Sequence, residues 1–329
     1  MRIALDAMGG DHAPKEIVEG ALMALDLYPD TEKIFLVGKE EEIQKHLGKE
    51  HKKIEIIHAS EVIEMDDHPA LAYRRKKDAS ITVAAKMVKE GKADALVSAG
   101  NTGGQMTASL FVFGRIKGIS RPAIATVLPS LEGHMLLVDA GANADAGVEN
   151  LEQFALMGSI YAKNILKKET PRVALINIGS EKTKGNELTI KAYEALEKME
   201  TIHFIGNIEG REIPEGHADV MVADGFVGNV VLKLMEGMGK SLSTMLKREI
   251  SGSLKAKIGA LLMKDALLGF KKRLDYAEIG GAPLLGVDGI SIICHGSSDR
   301  VAIHNAIRVA IECKKQNYIG EIKEIISRN

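Results

Sequence analysis

The sequence predicts an α/β protein, with a mixed, mostly parallel sheet covered by helices on both faces. Three observations predict it. Short apolar runs alternate with longer segments of helical period along the 329-residue chain. Most of these runs are apolar throughout, which marks strands buried on both faces. Run after run then ends in a loop of Gly, Asn, Asp and Ser.

In chain order, RIALDA (2–7) is the first predicted strand. The segment 14–28 follows as a helix, with Pro14 suited to a first helical turn. KIFLVG (33–38) and IEIIHA (54–59) are the next strands. SITVAAKMVKEGKA (80–93) is a helix that Ser80 is placed to cap. DALVSA (94–99) is a strand. AIATVL (123–128) and MLLVDA (135–140) are separated only by PSLEGH, short enough for a hairpin, so the sheet is mixed. Segments 151–168 and 186–200 carry apolar residues at three- and four-residue spacing and are helices. RVALINI (172–178), IHFIGN (202–207), ADVMVAD (218–224) and ISIICH (290–295) complete the strands. No repeat, low-complexity tract or linker divides the chain. It reads as one α/β unit over 1–329, with room for two lobes around a cleft and with 251–275 as a projecting amphipathic segment.

Composition bounds the function. Apolar residues are 45%, charged residues 27%, and the net charge of −2 gives no general affinity for nucleic acid. Aromatics are only 4%, with no Trp to stack on bases. Cys294 and Cys313 form neither a CxxC nor a zinc-spaced cluster, so a reducing cytoplasm is expected. The apolar run in MRIALDAMGG is too short for a signal peptide, and no run spans a bilayer.

Six strand ends carry the chemistry: MGGDHAP (8–14), SAGNTGG (98–104), DAGAN (139–143), NIGSEKTKGNE (177–187), DGFVGN (224–229) and HGSS (295–298). In an open parallel sheet such ends face one crevice. Glycines there let successive N–H groups converge on an anion, helped by the following helix N-termini. YRRKKDAS (73–80) places Arg74, Arg75, Lys76 and Lys77 before a helix start, where cations oppose the helix dipole and a phosphate would explain them. Lys182 and Lys184 lie in another of the loops. His12 and His295 stand at strand ends beside glycines. GMGKS (237–241) lacks the first glycine of a P-loop and sits in a helical context, and no GxGxxG or GxSxG is present. Cys294, inside an apolar run, reads as a core thiol. A site rich in phosphate-cradling groups and poor in nucleophiles suits a reaction in which phosphate is itself the nucleophile.

LDAMGGDHAP, SAGNTGG, DAGAN, DGFVGN and GGAPLLGVDG (280–289) together resemble the phosphate acyltransferase (PlsX) family, in family order from Met1 to about Ser298. The resemblance implies a fold similar to isocitrate/isopropylmalate dehydrogenases and phosphate acetyltransferases. It implies attack of inorganic phosphate on the thioester of a fatty acyl–acyl carrier protein. The acyl phosphate would feed phospholipid synthesis through a membrane-bound glycerol-3-phosphate acyltransferase. A homodimer and the absence of metal or nucleotide cofactor are further implications. The alternatives are a decarboxylating dehydrogenase on the same scaffold and a non-catalytic docking module.

On this reading phosphate sits on Arg74, Lys76, Ser98, Gly100, Asn101, Thr102, Gly103, Asn143 and Lys184. Oxyanion donors are Asn143, Asn229 and the backbone near Gly296. His12, Asp224 and His295 are unranked acid–base candidates. From 251 to 275 there are six cations and two anions, a local charge of +4. Leu254, Ile258, Leu261, Leu262 and Leu268, bordered by Lys271 and Arg273, form a contact for membrane, for carrier protein or for a dimer partner.

Overall fold

In the computed structural model, residues 1–49, 51–274 and 279–328 are described, with side chains of 271–274 left aside. Eleven strands form one sheet. In chain order they are β1 (Arg2–Asp6), β2 (Lys33–Gly38), β3 (Ile54–His58), β4 (Ala95–Ser98), β5 (Ala123–Ser130) and β6 (Gly133–Val138). Then come β7 (Arg172–Asn177), β8 (His203–Glu209), β9 (Val220–Val222), β10 (Ala282–Leu285) and β11 (Ile290–Ile293). The helices are α1 (Lys15–Leu27), α2 (Glu40–Leu47), α3 (Pro69–Arg75), α4 (Ser80–Lys89), α5 (Thr102–Val112) and α6 (Val148–Asn164). After them follow α7 (Glu187–Leu196), α8 (Gly225–Ser251), α9 (Leu254–Leu262), α10 (Lys264–Leu274), α11 (Arg300–Gln316) and α12 (Tyr318–Arg328).

All ten expected strands form. The extra one, β10, hides in GGAPLLGVDG, where Pro283 and a four-residue length gave no strand signal. Successive strand residues face opposite layers. Ile3, Leu5 and Leu36 join the core under α1, α6 and α11, whereas Ala4, Phe35 and Val37 join the core under α4 and α5. Gly20 lets α1 close on α11, since a Cβ there would stand 2.6 Å from that of Ile303.

Strand direction decides where the loops go. The order is β3-β2-β1-β4-β11-β10-β5-β6-β9-β7-β8. β3, β2, β1, β4 and β11 are mutually parallel. β10 is antiparallel to β11 and to β5, and β5 is antiparallel to β6, as the short PSLEGH connection predicted. β6, β9, β7 and β8 are parallel again, but with the net reversal they run opposite to the first set. The six polar strand ends therefore do not share one crevice. Those after β1, β4 and β11 lie at one edge of the sheet, and those after β6, β7 and β9 at the other.

α8 starts at the second edge, packs Val227, Val231, Leu232 and Met235 on the sheet, and runs for 27 residues. At 1.5 Å per residue it is about 40 Å long, roughly twice the height of a six-residue strand. Its second half is therefore largely exposed and leads into α9. Of the described residues no helix is long and apolar enough to cross a membrane.

Candidate active site

At the first edge the loops after β1, β4 and β11 are bonded together. Asp6 ends β1 with its carboxylate buried. It accepts the Ser98 hydroxyl at 2.7 Å and the Met8 amide at 3.2 Å. Ser98 Oγ in turn accepts the Gly100 amide at 3.0 Å. Burial pushes the Asp6 carboxyl up, against the hydrogen bonds from Ser80, Ser98 and the backbone of Met8 and Gly9. Gly9 must be glycine: a Cβ there would lie 2.6 Å from both Asp6 Oδ2 and the Gly100 amide. The Asp11 amide donates to the Gly296 carbonyl at 2.8 Å, joining the first and last loops.

Exposed on this frame are His12, Thr102 and His295. His295 Nδ1 accepts the Ser297 amide at 3.1 Å and lies 2.8 Å from the Ser297 hydroxyl. An N–H can only donate, so the neutral ring carries its proton on Nε2. Among the described residues the amides of Thr102 and Gly103, in the first turn of α5, have no acceptor. This edge can therefore hold a small anion on two N–H groups and a hydroxyl, with two imidazoles on neighbouring loops.

Several expected ligands are scaffold instead. Asn101 caps α5 through Oδ1, which accepts the Gly104 amide at 2.8 Å. Its Nδ2 faces the carbonyls of Glu64, Met65 and Asp67. Ser98 and Gly100 are committed to Asp6 and to each other, as above. Gly103 packs on α3: a Cβ there would lie 2.5 Å from Pro69 Cγ. Lys76 Nζ donates to the Val62 carbonyl at 2.8 Å and to Asp67. Arg74 is exposed, but it and Arg75 occupy the last turn of α3, where cations complement the helix dipole. The dipole reason for expecting a phosphate at those arginines is lost. Ser80 does not cap α4; Ala79 holds that position, and Ser80 is buried beside Asp6.

The other predicted residues stand at the second edge. Asp139 Oδ1 accepts the amides of Ile124, Gly141 and Ala142, and Oδ2 accepts the amide and side chain of Asn143. Asn143 Nδ2 also donates to the Pro122 carbonyl at 2.7 Å, so its side chain has no N–H left for an anion. Asp224 caps α8, with Oδ1 accepting the amides of Phe226 and Val227. Asn229 is exposed against Gly141, and Lys184 is exposed in the loop after β7. A pocket of about 720 Å³ lies here, lined in part by Asp145, Asn186, Asp224 and Phe226. Lys184, Asn143, Asp224 and Asn229 are thus separated from His12, Thr102 and His295. The two edges repeat one device: a buried strand-end Asp beside a glycine loop that enters a capped helix.

Cys294 is buried, and burial alone pushes its thiol up to about 12, so it is inert as a nucleophile. Sequence reasoning missed Asp6 and Asp11. The signal for Asp6 was an acidic residue closing an apolar strand just before Gly-Gly. Lys271 and Arg273 lie outside the described side chains. No group of three or more His, Cys, Asp or Glu among the described residues is placed to hold a metal ion.

The architecture is that of the phosphotransacetylases. A phosphotransacetylase from Streptococcus pyogenes superposes with a TM-score of 0.63 at 17% identity, covering 95% of this chain and 94% of that one. EutD phosphotransacetylase from Staphylococcus aureus gives 0.58 at 15% identity with the same coverage. Residues 1–320 match the family described as Fatty acid synthesis protein. The Phosphate acyltransferase of Heliobacterium modesticaldum is 59% identical over 331 residues, covering 99% of this chain and 98% of its own. That of Desulfitobacterium hafniense is 58% identical over 331 residues, covering 100% and 98%. The chain belongs to the phosphate acyltransferase family.

Proposed function

We propose that this protein transfers a fatty acyl group from acyl carrier protein to inorganic phosphate at the first edge of the sheet. What supports the reading is the meeting of three loops around Thr102, His12 and His295, with the adjoining Cys294 thiol buried. A phosphate oxygen attacks the thioester carbon; the new C–O bond forms as the C–S bond breaks. The proton that hydrogen phosphate sheds is the one the departing thiolate takes, so an imidazole that both accepts and donates can ferry it. The amides of Thr102 and Gly103 hold the phosphate; the α5 dipole adds to them.

The working unit on this proposal is a cytoplasmic homodimer, joined through the exposed α8 residues Val230, Leu234 and Met238 at four-residue spacing. Leu254, Ile258, Leu261, Leu262 and Leu268 are exposed on α9 and α10 and rest on the inner face of the membrane. There the acyl phosphate passes to a membrane-bound glycerol-3-phosphate acyltransferase for phospholipid synthesis. The test is to mix the protein with palmitoyl–acyl carrier protein and phosphate, and trap the product with hydroxylamine. Phosphate-dependent palmitoyl hydroxamate is expected; hydroxamate independent of phosphate, or none, overturns the reading.

A further inference from the structure

α5 begins at the proposed phosphate site and carries no charged residue in TGGQMTASLFV. Thr102, Met106 and Leu110 recur every fourth residue and so share one face. Of these, Met106 and Leu110 are only partly buried. Phe111, one residue past the row and a further 100° round the helix, is 64% exposed and stacks on Tyr73 of α3 with ring centroids 5.1 Å apart. At the other end Met65 is 52% exposed. Its methyl lies 3.0 Å from where a Cβ at Gly296 would be, against the HGSS loop. An apolar strip therefore leaves the three-loop site and winds round α5 toward Tyr73 of α3. From Thr102 to Phe111 it is about 14 Å long, the reach of a long rather than a short acyl chain.

We infer that this track binds the acyl chain, and that Met106, Leu110 and Phe111 set chain-length preference; the inference rests on the acyl-transfer reading above. A surface helix normally turns charge toward water, and α5 turns thioether, aliphatic and aromatic groups. The track is continuous with the loops that hold the reacting ester, so the carbonyl and the chain fit together. The exposed Leu27 on α1 lies on the opposite face of the sheet, away from this strip.

The experiment compares kcat/KM for palmitoyl– and butyryl–acyl carrier protein in the full-length protein. In Phe111→Ser and in Leu110→Ser the palmitoyl-to-butyryl ratio should fall about tenfold, the scale of lost apolar contacts in an acyl pocket. In Leu27→Ser it should hold. A ratio within about twofold of the parent in both track variants overturns the inference, and so does a shift to monomer with the ratio intact, which would make this face an interface between copies. The second measurement needs no turnover. Palmitoyl–acyl carrier protein with a terminal diazirine should label residues 71–73 or 106–111; labelling confined to α9, α10 or the second edge overturns the inference. If the parent protein makes no acyl phosphate from either donor, the transfer reading fails by itself, and the photolabel still decides the track.

Discussion

Replacing Asn101 with alanine should destabilise the protein, rather than simply weaken a ligand. The side chain performs two jobs. Oδ1 accepts the Gly104 amide at 2.8 Å, and losing such a cap costs about 1 kcal/mol. Nδ2 faces the carbonyls of Glu64, Met65 and Asp67 at 2.9, 3.1 and 3.2 Å. With two protons it satisfies two of them fully, and stripping those bonds costs roughly 1–2 kcal/mol more. The total is about 2–3 kcal/mol, read as a fall in the urea midpoint followed by far-ultraviolet circular dichroism. Asn101→Asp separates the two jobs: it keeps the cap but turns a carboxylate toward three carbonyls, so its loss should be at least as large. A change below about 0.5 kcal/mol in Asn101→Ala, with phosphate KM raised, would refute the scaffold role and restore Asn101 as a direct ligand.

Cys294→Ala should retain most activity, and no acylated peptide should be recovered by mass spectrometry after quenching; an acyl group on Cys294 would contradict direct attack by phosphate. Burial works to raise the Asp219 carboxyl, but hydrogen bonds from Arg172 and Lys168 outweigh it and hold the group at about 2, below its ordinary 3.8. That stabilisation is full above 3.8 and is lost as pH falls through about 2. Asp219→Asn should therefore cost about 1–2 kcal/mol at neutral pH, discounted for water at the cationic ends, and the gap to the parent should close in acid; a gap independent of pH would contradict it. Gly103→Val should lower the melting temperature by forcing α5 away from Pro69, so unchanged stability would show that the helices can part freely. Leu261→Glu with Leu268→Glu should abolish flotation with anionic vesicles, and flotation that persists would remove α9 and α10 as the membrane contact.

The fold was legible because strands buried on both faces leave continuous apolar runs, and ten of them stand out in the sequence. β10 was illegible because it is only four residues long and Pro283 interrupts it. Strand direction was illegible for a different reason: it depends on how β10, β5 and β6 pair, which no local pattern records. That single reversal moves Lys184, Asn143, Asp224 and Asn229 to the far edge. The loop chemistry was legible as glycine and short polar residues, but not which polar atoms stay free. Ser98 and Asn101 look like ligands in SAGNTGG. Their partners are Asp6 and the segment at 64–67, dozens of residues away, and those partners use the side chains up. The same distance hid Asp6, whose role exists only once β1 and β4 are neighbours.

The most direct test of phosphate binding at the first edge is crystallographic. Arsenate is a phosphate analogue with an anomalous signal, so a soaked crystal reports the anion's position without reference to activity. An anomalous peak is expected within hydrogen-bond distance of the Thr102 and Gly103 amides, between the loops that carry His12 and His295. A peak confined to the second edge, beside Lys184 and Asn186, would contradict it.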